Sequence, residues 1–292
     1  MYDAVLAATD GSDHARVAAA HAVVAGRRFD ADVPVVSVAD RRATAALPAN
    51  GGAAVAAAAA ETAANEALAT APDDDRVETV LARGDPGQVI AARADRRGAG
   101  LIAVGTHGRS GVSRYLVGSV AARVIRAGVA PVLVARASHA EPPRRGYRDV
   151  VVATDGTGRV DTVLPTAFEL ACEHDATIHA ISVVDTATNP TFTGLAGSRS
   201  VDYREQSAEA ATERVTTRAR KRDFDARTVV ETGEPAAVVT DYAARVDADL
   251  LAVATAGRSG LSRLLVGSTT ERLLGSAPAP VLVARAGPVG PD

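Results

Sequence analysis

Apolar and polar positions alternate along the chain in short apolar runs and longer amphipathic stretches, and the pattern runs through twice. In the first half, the apolar run at 4–8 predicts a buried strand. Asp10-Gly11-Ser12 then turns into a helix running to about Arg28. A strand at 33–38, a helix at about 55–69 and a strand at 77–81 follow. Gly84-Asp85-Pro86 opens another helix, with Asp85 in capping position and Pro86 preset for the first turn. A strand at 101–104, a helix at 118–127 and a last strand at 131–135 complete the half. The second half predicts strands at 150–153, 178–183, 228–230, 250–254 and 281–284. Its helices are expected at 162–174, 201–222, 236–245 and 268–274. Five strands joined by helical crossovers imply an α/β domain with an open, mostly parallel sheet and helices on both faces. Right-handed crossovers leave few topologies. Ligands of such sheets bind outside the carboxyl ends of the strands. That places Asp10, residues 38–40 and the loop after Val104 along one edge.

The two halves are copies. APVLVAR at 130–136 recurs at 279–285, an offset of 149. The same offset aligns GTHGRSGVSRYLVGS at 105–119 with ATAGRSGLSRLLVGS at 254–268, eleven of fifteen positions being identical. Ala8-Thr9-Asp10-Gly11 matches Ala153-Thr154-Asp155-Gly156 at an offset of 145. The second copy therefore gains four residues between its second strand and its Gly233-Glu234-Pro235 turn. So long a period marks a duplicated domain and not a solenoid. We place the domains at 1–137 and 147–286. The polar, Pro-rich segment 138–146 (SHAEPPRRG) between them reads as an exposed linker.

Composition narrows the chemistry. The length of 292 residues fits two domains. Aromatic residues make up 3% with no Trp, so the cores are built from Ala, Val, Leu and Ile, and a platform of stacked aromatics for nucleic acid is not expected. The net charge of -3 argues against a basic binder of nucleic-acid backbone. Lys221 is the only lysine, which excludes a P-loop lysine. The single cysteine, Cys172, excludes a disulfide framework and Cys-based zinc sites, and suits a cytoplasmic protein. No signal peptide or membrane span is expected; the uncharged stretch 43–60 holds Pro48, Gly51 and Gly52 and is otherwise mostly alanine.

The distinctive chemical element is Gly105-x2-Gly108-x9-Gly118-Ser119, between a strand and a helix start. Glycines let backbone N–H groups approach an anion, and a helix N-terminus carries free donors and partial positive charge. The Ser119 hydroxyl either caps the helix or bonds a phosphate. The element is a phosphate cradle by mechanism. It is not the lysine-bearing P-loop, because no Gly-Lys-Ser/Thr follows.

That spacing, its position and the Asp ending the first strand resemble the universal stress protein (UspA) family, once per half. The resemblance implies an adenine nucleotide alpha hydrolase-like, Rossmann-like fold with five strands in the order 3-2-1-4-5. It implies binding of ATP, ADP or AMP, with Mg²⁺ held mainly by phosphate oxygens and water. Carried over, Asp10 contacts the ribose or adenine side and Val38 lies against the adenine. Gly105 approaches the ribose, while Gly108, Arg109, Gly118 and Ser119 surround the phosphates. In the second half Asp155, Val183, Gly257, Arg258, Gly267 and Ser268 hold the equivalent positions, and Ala254 replaces the first glycine. An added methyl there predicts weaker binding by the second half. The resemblance further implies pairing through the last strands, between the two halves of one chain or in a homodimer.

The remaining motifs read as structural. His107 sits in the glycine loop opposite Ala256 and is expected to be exposed. Asp73-Asp74-Asp75 reads as a solvated turn. The other histidines (His14, His21, His139, His174, His179) have no ligand spacing, so no metal site is expected. No nucleophile elbow, His-Glu-x-x-His or Cys/His dyad occurs. The leading function is a nucleotide-binding stress-response or regulatory protein. The alternatives are a nucleotide-independent interaction module and a slow ATPase.

Overall fold

The computed structural model describes residues 2–40, 58, 61, 62, 65, 75–106, 117–143, 146–171, 175–185, 195–255 and 267–286, without side chains at 195–202. The predicted helix at 55–69 lies outside them except for residues 58, 61, 62 and 65, which are helical. Also outside are His107, Gly108, Arg109, Asp73, Asp74, Cys172, His174, Gly257 and Arg258. The chain divides into two units, Met1–Gly146 and Tyr147–Asp292.

In the first unit the strands are β1 (Ala4–Thr9), β2 (Val33–Asp40), β3 (Val77–Gly84), β4 (Ala99–Gly105) and β5 (Val132–Ala135). They pair in parallel in the order β3-β2-β1-β4-β5. The central strands are buried on both faces, as their unbroken apolar runs require; Val5, Ala7, Leu101, Ile102 and Ala103 are fully covered. Helix α1 (Asp13–Phe29) lays Ala15, Ala18, Ala19, Ala22 and Ala25 against the sheet. Its small residues at helical spacing allow close approach. Asp85 caps α2 (Pro86–Arg96) by accepting from Gln88 N–H, with Pro86 in the first turn, as its sequence dictates. Helix α3 (Ser119–Ala127) precedes β5.

Segment 138–146 is exposed at Ser138, Ala140 and Glu141, as expected of a linker, but is anchored at two points. His139 is buried and accepts from Arg136 N–H, and Arg16 on α1 ion-pairs with Glu141.

The second unit repeats the sheet with β6 (Asp149–Ala153), β7 (Thr177–Val184), β8 (Asp225–Thr232), β9 (Leu250–Thr255) and β10 (Val281–Arg285). The order is β8-β7-β6-β9-β10, again parallel. Both sheets thus have the expected 3-2-1-4-5 arrangement.

The helix predicted at 162–174 is shorter than expected. A 3₁₀ turn (Arg159–Thr162) comes first, then α4 (Leu164–Leu170) with Pro165 in its opening turn. Proline lacks an N–H, so it sits where no helical bond is needed and fixes the start there. The helix stops at Leu170 because Ala171 is extended and bridges to Tyr147. Helix α5 (Leu195–Arg220) starts earlier than predicted and buries Ala208, Ala211, Val215 and Ala219 against β7 and β8. Helices α6 (Pro235–Arg245) and α7 (Ser268–Ser276) complete the unit.

Candidate functional site

At the carboxyl end of β1 the chain reverses through Thr9-Asp10-Gly11. The Thr9 hydroxyl accepts from Gly11 N–H at 3.2 Å, and the Asp10 carboxylate accepts from Ser12 N–H at 3.0 Å. Gly11 has φ of 77°, a conformation side chains rarely adopt, so glycine is needed for this turn. Ser12 then caps α1 by accepting from Ala15 N–H. Asp10 is therefore fixed at the strand end by local chemistry.

Three other elements converge on this turn. Val38 and Asp40 arrive at the end of β2, and Gly105 at the end of β4. Gly118 is the N-cap of α3 and its N–H donates to Thr106 C=O at 2.6 Å. That bond joins the two ends of segment 107–116, which lies outside the described residues. Ser119 is the first helical residue and is exposed. Among the described residues no side chain caps this helix, so Ser119 is not the cap that sequence offered as one of its two roles. The first-turn N–H groups have no partner within the helix. Between these elements lies a cavity of about 490 Å³, lined among others by Asp10, Val38, Gly105, Gly118 and Ser119. Its size is that of a small-molecule site.

The second unit rebuilds the arrangement. The Thr154 hydroxyl accepts from Gly156 N–H at 3.2 Å, and Asp155 accepts from Thr157 N–H at 3.0 Å. Gly156 has φ of 79°, matching Gly11. Asp155, Val183, Ala254, Gly267 and Ser268 line a cavity of about 340 Å³. Gly267 caps α7, again without a side-chain bond. Each cavity thus brings together five sequence-predicted residues. The remaining four, Gly108, Arg109, Gly257 and Arg258, lie outside the described residues.

Two features escaped the sequence reading. The first is why position 105 is glycine. A Cβ there would lie 2.8 Å from Ala15 N and 2.9 Å from the His14 carbonyl carbon. The first turn of α1 occupies that space, so the glycine answers to the helix before it answers to any ligand. In the second unit Pro165 delays the helix, and Ala254 takes the position. At the corresponding place in the second unit a 3₁₀ turn, Arg159–Thr162, precedes the helix. The second feature is a repeated brace. Arg123 on α3 ion-pairs with Asp85, the cap of α2; Arg272 on α7 pairs with Glu234, the cap of α6, at 2.8 Å. Each brace ties the helix that begins at the cavity to its neighbour. The Arg123 partnership holds its guanidinium pKa above the ordinary value, mainly through the hydrogen bond to Asp85. The shared 38-residue spacing of the acid–Arg pairs was the available signal.

His14 also reaches the site's edge. Its Nδ1 accepts from Ala137 N–H at 3.1 Å and lies 3.1 Å from the Thr106 hydroxyl. The proton of neutral His14 is then on Nε2.

Fold and cavities together define an α/β protein with a cavity at the carboxyl edge of each sheet. The family model described as "Universal stress protein family" matches residues 1–136 and again 146–285. The chain belongs to the universal stress protein family, as a tandem member. A universal stress protein of Methanocaldococcus jannaschii is 34% identical over 143 residues, covering 48% of this chain and 82% of that protein. One of Mycobacterium tuberculosis is 30% identical over 188 residues, covering 63% of this chain and 61% of its own. Among solved structures, a universal stress protein of Archaeoglobus fulgidus superposes over 98% of this chain and 97% of its own, with a TM-score of 0.72 at 19% identity. At that identity the likeness shows the fold.

Proposed function

We propose that this chain is a cytoplasmic stress-response or regulatory protein that binds an adenine nucleotide (ATP, ADP or AMP) in each half. The observation that carries the reading is the repeated cavity, in which an uncapped helix N-terminus faces a fixed Asp across an apolar slot. Free N–H donors and the helix dipole favour phosphate. Val38 or Val183 offers an apolar wall to the base. Asp10 or Asp155 accepts from the ribose or adenine side. The backbone of Gly118 has φ of -56°, so its own conformation does not demand glycine, and a bare N-cap suits close approach of an anion. Mg²⁺ enters with the nucleotide, held by phosphate oxygens and water. Of the residues described, those with ionisable side chains lining the cavities are Asp10, Asp40, Asp155 and Arg159, which supports a binding role over rapid catalysis. Gly105 in the first half against Ala254 in the second supports tighter binding by the first half.

The test is thermal unfolding of the full chain with and without millimolar Mg-ATP. Binding to the native state raises the melting temperature by mass action. A rise that is lost with Gly118→Val and Gly267→Val combined supports the reading. No shift in the wild-type protein refutes it and favours a nucleotide-independent interaction module. Turnover above about 1 s⁻¹ would make it an enzyme.

A further inference from the structure

The two cavities differ in the charged groups on one wall. In the first, Ser12 caps α1 at once, and its first turn supplies Ala15 to the wall. The charged side chains lining it, among the described residues, are the carboxylates Asp10 and Asp40. In the second, Pro165 postpones the helix. Gly158 turns with φ of 73°, and the 3₁₀ turn brings Arg159 and Val160 into the wall. Arg159 lies 3.1 Å from the second oxygen of Asp155, and its side chain is 24% exposed. The first oxygen accepts from both the N–H and the hydroxyl of Thr157. Both oxygens of Asp155 are therefore engaged by protein donors. A guanidinium has five N–H donors in a planar fork, and among the described residues one of them is used, toward Asp155. The second wall thus adds an arginine fork beside its carboxylate, where the charged side chains of the first, among the described residues, are carboxylates.

We infer that Arg159 makes the second site selective for an adenine nucleotide carrying a phosphate on the hydroxyl edge of its ribose. The first site takes a nucleotide whose ribose hydroxyls are free to donate. This rests on the nucleotide-binding reading above, with the ribose beside Asp10 or Asp155. A carboxylate accepts from hydroxyls and repels phosphate; an arginine fork takes phosphate through charge-assisted bonds. In dinucleotide-binding folds an arginine near the ribose likewise accommodates a 2′-phosphate; here Asp155 is kept and Arg159 is added beside it.

The experiment is calorimetric titration of the full chain with AMP, adenosine 2′,5′-bisphosphate and adenosine 3′,5′-bisphosphate, on wild type, Arg159→Ala and Arg159→Lys. In the wild type, one site is expected to bind a bisphosphate about tenfold tighter than AMP, the size of one charge-assisted hydrogen bond. Arg159→Ala should abolish that preference and Arg159→Lys keep part of it, with AMP at the first site as internal reference. Nucleotide-free unfolding of the variants reports on the fold. If Arg159→Ala keeps the preference, or the wild type shows none while AMP binds, the inference fails and the nucleotide reading stands. If the variant instead loses AMP affinity and melting temperature together, Arg159 only braces the turn, and the inference also fails. No binding of any probe removes both.

Discussion

Replacing Gly105 by alanine tests whether this glycine serves the helix or the ligand. The added Cβ would meet Ala15 N at 2.8 Å and the His14 carbonyl carbon and Cβ each at 2.9 Å. Two of these are backbone atoms in the first turn of α1, which Ser12 holds by its cap. They yield only if the helix shifts. Overpacking of this kind costs about 1–3 kcal/mol. For a unit of this size that lowers the melting temperature by about 3–10 °C. The mirror substitution, Ala254→Gly, adds no atom and costs about 1 kcal/mol through chain entropy. Both are read by thermal and urea unfolding without nucleotide, followed by circular dichroism. If Gly105→Ala melts with the wild type and loses only the stabilisation given by Mg-ATP, the packing argument is wrong.

Burial lowers the His21 pKa from 6.5 to about 4, opposed by a hydrogen bond with the Ala140 backbone. The folded state prefers the neutral ring, so its stabilisation is complete above about pH 6.5 and is lost as pH falls toward 4, by up to about 3 kcal/mol. Urea midpoints from pH 7 to 4.5 should show that slope for the wild type and a flatter one for His21→Leu. Tyr242→Phe removes the hydroxyl 2.8 Å from the buried His179 Nδ1, whose Nε2 is held by Asp149. A loss of about 1–2 kcal/mol is expected; unchanged stability in urea would show that water replaces the hydroxyl. Asp85→Ala removes both the α2 cap and the Arg123 brace and should cost about 1–2 kcal/mol, whereas Arg123→Ala should cost less than about 1 kcal/mol, because its guanidinium is partly solvated. Equal losses in the two variants would show that the brace outweighs the cap.

Much of this protein is legible in its sequence because the deciding interactions are local. Apolar runs bounded by Gly and Asp specify the strands. Thr-Asp-Gly builds the same turn in both halves from hydrogen bonds no more than two residues apart. Gly-acid-Pro caps and starts α2 and α6 by the same logic. The repeat turned one such reading into two. Pro165 carries a start signal as well: the helix expected from 162 begins at Leu164, beside the proline. What sequence left open is what depends on partners far along the chain. Gly105 answers to Ala15, ninety positions earlier. His14 meets Thr106 and Ala137. Arg159 enters a cavity whose other walls come from β6, β7, α6, β9 and α7. Local patterning sets which elements form; only their packing decides which side chains share a wall, because that depends on distances between elements that no short stretch of sequence encodes.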